Sequence, residues 1–479
     1  MAARNKWTIL GVASVGTLSS TLDGGAVSVT YPALAAAFDT DTSTVLWVTV
    51  AYWVTAVGLL LAMGWLSDVV GRRRVFIAGS SLFALGILLS SLSMNMWQLI
   101  AFRVFQGVGS SMLLASLNAL ITANFQPKER GKALGVSGAV VGVGLTAGPL
   151  IGGVLLDVMD WRAVFYTRAP IAAAGAVLAW RLLPRDRVEG QRFRLDLVGV
   201  VALFGTLGFG LLVVNQVGRL GFTSWPVAAM VAVVAVCLPV LVWSERRSIR
   251  PILDIGLLRS GRYTFSLLAL MSHYLSHGGI LLVAPFFLLD SLDFSASRMG
   301  LFLAAFSAGR VFLAPVAGRL SDRFSPRPFL ILGNLLLVVS LLLLSRQGID
   351  SNSWVLFLAL LLAGAGTSFF EPVATSAIMG SVPRDRLGTA SASVASGRQV
   401  AFAVGVTMAG AIFAIRERAY LAGQLAEDLG SEAARAQAIA GAFGDTLLAG
   451  VALASLAALF SLGVRGQRTA DAGEFAELE

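Results

Sequence analysis

Ionisable side chains stand inside otherwise apolar stretches of this chain: Asp23, Arg103, Arg310, Glu371 and Arg398, together with the only two histidines, His273 and His277. A charge at the centre of a membrane helix costs about 2.5–3.5 kcal/mol on insertion scales, so each should face a cavity or an opposite charge. At the helical rise per residue, Asp23 lies roughly 12 Å and Arg103 roughly 9 Å from one end of its stretch, and Glu371 and Arg398 both lie roughly 14 Å from theirs. An acid and an arginine therefore fall at matching depth twice. A neighbouring arginine favours the charged carboxylate and desolvation disfavours it. A carboxylate balanced between the two can exchange a proton when access alternates; a pair of static ion pairs is the other reading. Arg310 has no counterpart at its depth and is an alternative partner for Glu371. His273 and His277 are four residues apart and share a helix face. No third ligand accompanies them, so a zinc site is not expected. They read as cavity-lining groups that take protons or touch a substrate, or as packed histidines with satisfied hydrogen bonds.

Two further patterns concern movement rather than proton chemistry. Gly144, Gly148 and Gly152 recur every four residues, a small face along which helix backbones approach closely, and Pro149 within it removes a backbone donor. Plain helix packing would use the same face. Asp68, between Gly64 and Gly71 and before Arg72 and Arg73, is placed to accept hydrogen bonds from a helix N-terminus or an arginine across the bundle, latching one side closed. The unit recurs: Gly64-Trp-Leu-Ser-Asp68 returns as Gly318-Arg-Leu-Ser-Asp322, and Pro127-Lys-Glu-Arg130 returns as Pro383-Arg-Asp-Arg386. The offsets are 254 and 256 residues. Asp322 sits among prolines and lacks the second glycine, which weakens its claim to gating.

The elements that must position these groups follow from composition. The chain has 479 residues, 56% hydrophobic and only 13% charged, with mean hydropathy +0.79. Soluble domains carry about 25% charged residues, so an ordinary soluble enzyme and a disordered chain are both excluded. Apolar stretches of spanning length read as 7–31, 44–66, 74–93, 97–123, 132–156, 163–183, 197–214, 226–243, 263–289, 297–317, 328–345, 354–380, 388–414 and 444–464, fourteen in all. The first is too long for a cleaved signal and holds Asp23, so it is expected to be retained. The formal charge is +9, but the basic residues recur in small groups at the ends of apolar stretches, a pattern of membrane orientation and not of nucleic-acid binding. Loops on the side of the N-terminus hold 25 Lys and Arg, and the opposite loops, with Arg162 and Arg168 counted among them, hold 8. Both termini are therefore expected in the cytoplasm. Cys237 is the only cysteine, so no internal disulfide can form.

An offset of about 250 residues holds about eight spans, which places an inserted pair between two six-span halves. The expected division is 1–183, a linker region 184–262 with two spans, and 263–479, in which 416–443 forms an Ala-rich, mixed-charge, short helical extracellular element, a solvated connector or a lid. Repeated halves imply alternating access around a site between them.

These residues resemble the major facilitator superfamily, and within it the fourteen-span drug:proton antiporters. Gly64 to Arg73 match the cytoplasmic signature G-x-L-x-D-x-x-G-R-R; Arg103, Gln106 and Gly107 match the span 4 pattern; Gly144, Gly148, Pro149, Gly152 and Gly153 match the antiporter motif. Leu22-Asp23 with Pro32, and Trp161-Arg162, Phe165 and Pro170, match the flanking segments. The chain departs from the pattern at Gly25 and Ser28, where Thr and Asn are usual, and at Arg168, where Asn is usual. The resemblance implies an all-α membrane protein with the major facilitator fold, two six-helix bundles plus two central spans. It also implies a multi-pass, monomeric cell-membrane protein that exports amphipathic, cationic or neutral drug-like molecules against protons, driven by the proton gradient without a cofactor. Asp23, Glu371, Arg103 and Arg398 would handle protons and substrate, and the span 5 glycines and Asp68 would govern access. No phosphate-binding loop occurs, since Gly131-Lys132 is followed by Ala133, so direct ATP use is not expected. A dedicated exporter of one metabolite, lipid or siderophore, and a non-transporting receptor or scaffold, are the competing readings. A membrane enzyme is disfavoured because no nucleophile–His–acid cluster is evident.

Overall fold

Inside a bilayer the backbone must satisfy its own N–H and C=O groups, and the helix does so within one segment. Helices are the only regular structure in the computed structural model, which describes residues 2–125, 127–184, 197–221, 224–247, 257, 260–321, 325–382, 387–425 and 431–464. In chain order they are α1 (Ala2–Ser28), α2 (Tyr31–Ala37), α3 (Thr42–Val45), α4 (Trp47–Val70), α5 (Arg72–Ser91), α6 (Met96–Asn124), α7 (Pro127–Val158), α8 (Trp161–Tyr166) and α9 (Ala169–Leu182). There follow α10 (Leu197–Leu220), α11 (Trp225–Arg247), α12 (Gly261–His277), α13 (Ile280–Phe286) with a π-helical turn at Phe287–Ser291, α14 (Ala296–Ser321), α15 (Pro326–Ser345), α16 (Ser353–Met379), α17 (Leu387–Leu425) and α18 (Ser431–Leu462).

Each of the fourteen apolar stretches falls on one of these helices or on a consecutive set. Among the described residues, eleven helical segments are long and apolar enough to cross a membrane. In α10 the described apolar stretch is the shorter Val201–Val214, and α7 is held between α1 and α14. Hydroxyls in α1 bond back to the preceding turn, Thr17 to the Ala13 carbonyl at 3.0 Å and Thr21 to the Thr17 carbonyl at 2.8 Å, so they cost the helix little.

Packing groups α1, α4, α5, α6, α7 and α9 by their mutual contacts, and α12, α14, α15, α16, α17 and α18 by theirs. α7 joins the two groups through α14, and α10, packed on α11, touches α4 and α17, one helix from each. We call the end with the turns at 38–41, 92–95 and 159–160 the Asp41 end, and the opposite one the Gly71 end. At the Asp41 end, Tyr31 stacks on Phe286 with ring centroids 5.9 Å apart. There too Asp41 binds Arg418 at 2.8 Å, Thr42 donates to Glu417 at 3.1 Å, and Asp157 accepts from the backbone N–H groups of Ala296 and Ser297 at 2.9 and 2.8 Å.

The described residues of the segment 416–443 are helical, and they belong to the two long helices that the segment joins. α17 runs unbroken to Leu425 and α18 starts at Ser431, because Arg416 and Tyr420 both bind Asp445, and Gly441 lets the Tyr420 ring approach the α18 backbone. Residues 426–430 between them lie outside the described residues, as do Asp322, the 383–386 loop and most of the linkers at 184–196 and 245–262.

Candidate functional site

Asp23 is the centre of the first charged cluster. Its carboxylate has no exposed surface and accepts from two guanidinium groups, Arg103 Nη1 to Oδ2 at 2.8 Å and Arg168 Nη1 to Oδ1 at 2.7 Å, whose side chains are 2% and 5% exposed. Arg103 is fixed further by the Val48 carbonyl at 3.1 Å, by Gln106 at 2.6 Å and by the Tyr52 ring, 4.4 Å below its guanidinium carbon. It thereby ties α6 to α1 and α4. Arg168 arrives from another direction. Asp160 caps α8 by accepting from Ala163 N–H, the chain breaks at Thr167, and Pro170 starts α9 in its first turn. That break turns Arg168 inward, where its Nε bonds the Val164 carbonyl and its Nη2 is buried without a hydrogen-bond partner. The sequence reading placed Arg168 among the loop cations. The structure corrects this: it is the second arm of the Asp23 cluster, and the one clue was its departure from the family's usual Asn.

Glu371, on α16, is held in the same manner. Arg310 of α14 donates to its Oε2, and Arg398 of α17 donates to Oε1 at 3.1 Å. The matched pair Glu371–Arg398 expected from depth is present, and Arg310 is partner as well as alternative. This cluster is open where the first is closed: Glu371, Arg310 and Arg398 are 18%, 22% and 39% exposed, although they lie well inside their helices.

His273 and His277 lie beside it on α12. Asn334 donates through Nδ2 to the Leu330 carbonyl and the Ser461 hydroxyl, so its Oδ1 accepts, and the proton in the 2.8 Å contact belongs to His273 Nδ1. His277 Nδ1 donates to the His273 carbonyl at 2.8 Å. His273 stacks on Phe370 at 4.1 Å, and its Nε2 is buried with no partner. Asn334 was invisible in sequence as an uncharged residue within an apolar run.

The antiporter-type glycines are flanked on two sides. A Cβ at Gly148 would stand 2.9 Å from the Leu22 carbonyl oxygen and 3.2 Å from Gly25 Cα; one at Gly144 would meet Thr21 and one at Gly152 would meet Val29 and Ala26. This face lies on α1, against the turn that carries Asp23. The other side of α7 lies on α14: Gly153 meets the Ala296 carbonyl, Gly300 meets the Pro149 carbonyl, and Ser307 donates to the Leu145 carbonyl at 3.1 Å. Gly25 now has a packing reason, since a Cβ there would be 2.7 Å from Pro149 Cδ. In the Asp68 loop, Gly71 adopts φ 109°, and Arg73 donates to the Trp180 carbonyl. The Asp68 side chain lies outside the described residues. Arg72 opens α5 directly after Gly71, and a Cβ at Gly64 would meet nothing within 4 Å.

Comparison with known proteins places this geometry. The chain is 28% identical to the riboflavin transporter RibZ of Clostridioides difficile over 86% of its own length and 89% of that protein. It is 32% identical to a puromycin resistance protein of Streptomyces alboniger over 87% and 84%, and 29% identical to the multidrug resistance protein Stp of Mycobacterium tuberculosis over 82% and 73%. In fold it is similar to a bacterial homolog of the human lysosomal transporter Spinster, captured inward-facing and occupied, with a TM-score of 0.68 at 14% identity over 96% of this chain and 97% of that one. The profile of the Major Facilitator Superfamily matches residues 13–258 and 266–420, and with the two helix groups joined through α7 and α14 the chain belongs to that superfamily of multi-pass membrane transporters.

Proposed function

We propose that this protein exports amphipathic drug-like small molecules across the cell membrane in exchange for protons, by alternating access between two six-helix halves, 1–183 and 263–479, with α10 and α11 as an inserted pair. The Lys and Arg distribution supports a cytoplasmic position for the Gly71 end and both termini. The observation that carries the proposal is the sealed carboxylate of Asp23 between Arg103 and Arg168. Protonating Asp23 removes the charge that both guanidinium groups share, so proton binding loosens α1 from α6 and from the α8–α9 break in one event. α1 lies on the glycine face of α7, and α7 lies on α14, so that loosening is transmitted to the contact between the halves. The Gly64–Arg73 loop and its copy at Asp322 gate the cytoplasmic side in this reading. Names of relatives support export of antibiotics and other drugs; RibZ, a riboflavin transporter, supports the second reading, a carrier dedicated to one metabolite.

The test is substrate-linked proton movement in proteoliposomes with an imposed pH gradient. Asp23→Asn should abolish gradient-driven efflux and leave downhill substrate exchange, whereas Glu371→Gln should keep proton movement. Gradient-driven transport by Asp23→Asn at the wild-type rate would remove Asp23 as the carrier. A panel of unrelated dyes separates multidrug export from a dedicated carrier.

A further inference from the structure

The buried charges do not balance. The two clusters hold four guanidinium groups, Arg103, Arg168, Arg310 and Arg398, against two carboxylates, Asp23 and Glu371. Each cluster carries a surplus positive charge in a low-dielectric interior, where an uncompensated charge is strongly disfavoured. The first cluster is sealed. The second is accessible, and its most exposed member is Arg398; its bond to Glu371 engages a single terminal nitrogen of a group with five N–H donors, and the Tyr274 side chain is its other neighbour. One helical turn further along α17 is Phe402, and Trp53 of α4 meets it edge-on at 5.2 Å. A cation and an aromatic pair drawn from both helix groups thus stand side by side at the accessible cluster.

Taking the export reading as its basis, we propose that the cargo is an aromatic carboxylate. Its acidic group is received by the remaining donors of Arg398 and the edge of Arg310, and its ring body lies on Phe402 and Trp53. A planar anionic group matches the guanidinium fork bidentately, which a lone ammonium would not offer. A cationic cargo would meet the surplus charge with like sign. Glu371 is then the fixed partner that holds the two arginines apart and oriented.

The experiment compares two dyes of one xanthene scaffold, 5-carboxyfluorescein and rhodamine 123, by fluorescence anisotropy with the purified protein in a neutral maltoside detergent. Carboxyfluorescein should bind at least ten-fold more tightly. Arg398→Gln should remove that preference with a loss of ten-fold or more, and Arg398→Lys, which keeps the charge but loses the fork, should recover only part of it; both variants are checked for wild-type elution. Tighter binding of rhodamine 123, or no change in Arg398→Gln, overturns the inference. The measurement needs no gradient. Arg398-dependent anion binding without pH-driven flux would therefore uphold the anion site and reject proton-coupled export. Flux of rhodamine 123 alone would do the reverse.

Discussion

Arg103 and Arg168 neutralise the same carboxylate, yet their surroundings differ. Arg103 makes three hydrogen bonds to α1, α4 and its own helix and rests on Tyr52. Apart from its bond to Asp23, Arg168 makes one local bond to Val164 and buries an unpartnered nitrogen. Breaking a buried charge pair by removing one partner costs about 3–5 kcal/mol. Removing an unsatisfied buried donor recovers about 1–3 kcal/mol of desolvation. Arg103→Gln should therefore lower the thermal midpoint of the detergent-solubilised protein clearly, and Arg168→Gln much less, since Arg103 still holds Asp23. Equal midpoints for the two variants would contradict this division. The difference also explains what was legible. A charge deep in an apolar run demands a partner, so Asp23 with Arg103 and Glu371 with Arg398 follow from depth alone. Arg168 lies close to the end of its run, where a cation reads as a loop residue, and only the break between α8 and α9 carries it inside.

At the scale of the helix, α7 is the element on which the rest turns. Its Gly144, Gly148 and Gly152 face was readable from spacing, but spacing names no neighbour; α1 is selected by Gly25, which gives way to Pro149. The opposite contact, Gly153 and Gly300 interlocked with α14, has no periodic signature at all, because each glycine serves a single carbonyl across the interface. Gly148→Leu should stop transport while the protein still inserts, and should reduce the thermal midpoint, since overpacking of a tight contact typically costs about 1–3 kcal/mol. Gly64→Ala is the control within a helix. A Cβ there has open space within 4 Å, and alanine favours a helix over glycine by about 1 kcal/mol. Gly64→Ala should insert and melt like the wild type or slightly above it. A drop as large as that of Gly148→Leu would show that these contacts do not set the cost. Helix ends were the less legible part, as at α17, whose polar extension to Leu425 is held by Arg416, Tyr420 and Asp445 and not by hydropathy.

For the whole molecule, the proposed orientation is open to direct measurement. With Cys237 replaced by Ser, a cysteine at Ile349, 43% exposed at the Asp41 end, should react with an impermeant maleimide from outside the cell. One at Leu182, 44% exposed at the Gly71 end, should react only after permeabilisation. The reverse pattern would invert the orientation assigned from Lys and Arg. The described polar ties across the two helix groups concentrate at the Asp41 end. Among them the Asp41–Arg418 pair joins the α3 cap to α17.

That pair sets a pH dependence of its own. Partial burial disfavours the charged form of Asp41, but hydrogen bonds from Ser43, Thr44 and Arg418 outweigh it and hold its pKa at about 2. A carboxylate whose folded pKa is depressed contributes stability above its ordinary pKa of 3.8 and loses it as pH falls through about 2. Between pH 5 and 8 Asp41 therefore stays charged and acidification over this range does not release the tie, so in the proposed cycle the opening of this end is assigned to protonation of Asp23. Both groups of the pair are nearly half exposed, so the tie is individually weak. Asp41→Asn should shift the population toward opening at this end only modestly. Spin labels at Leu92 and Ile349, one from each helix group, would read this as a larger fraction of long distances in Asp41→Asn than in the wild type. The increase should be the same at pH 5.5 and pH 7.5. An increase seen at pH 7.5 but absent at pH 5.5 would mean that Asp41 is already protonated in the wild type at the lower pH, and the closing contact at this end would then itself sense the proton gradient.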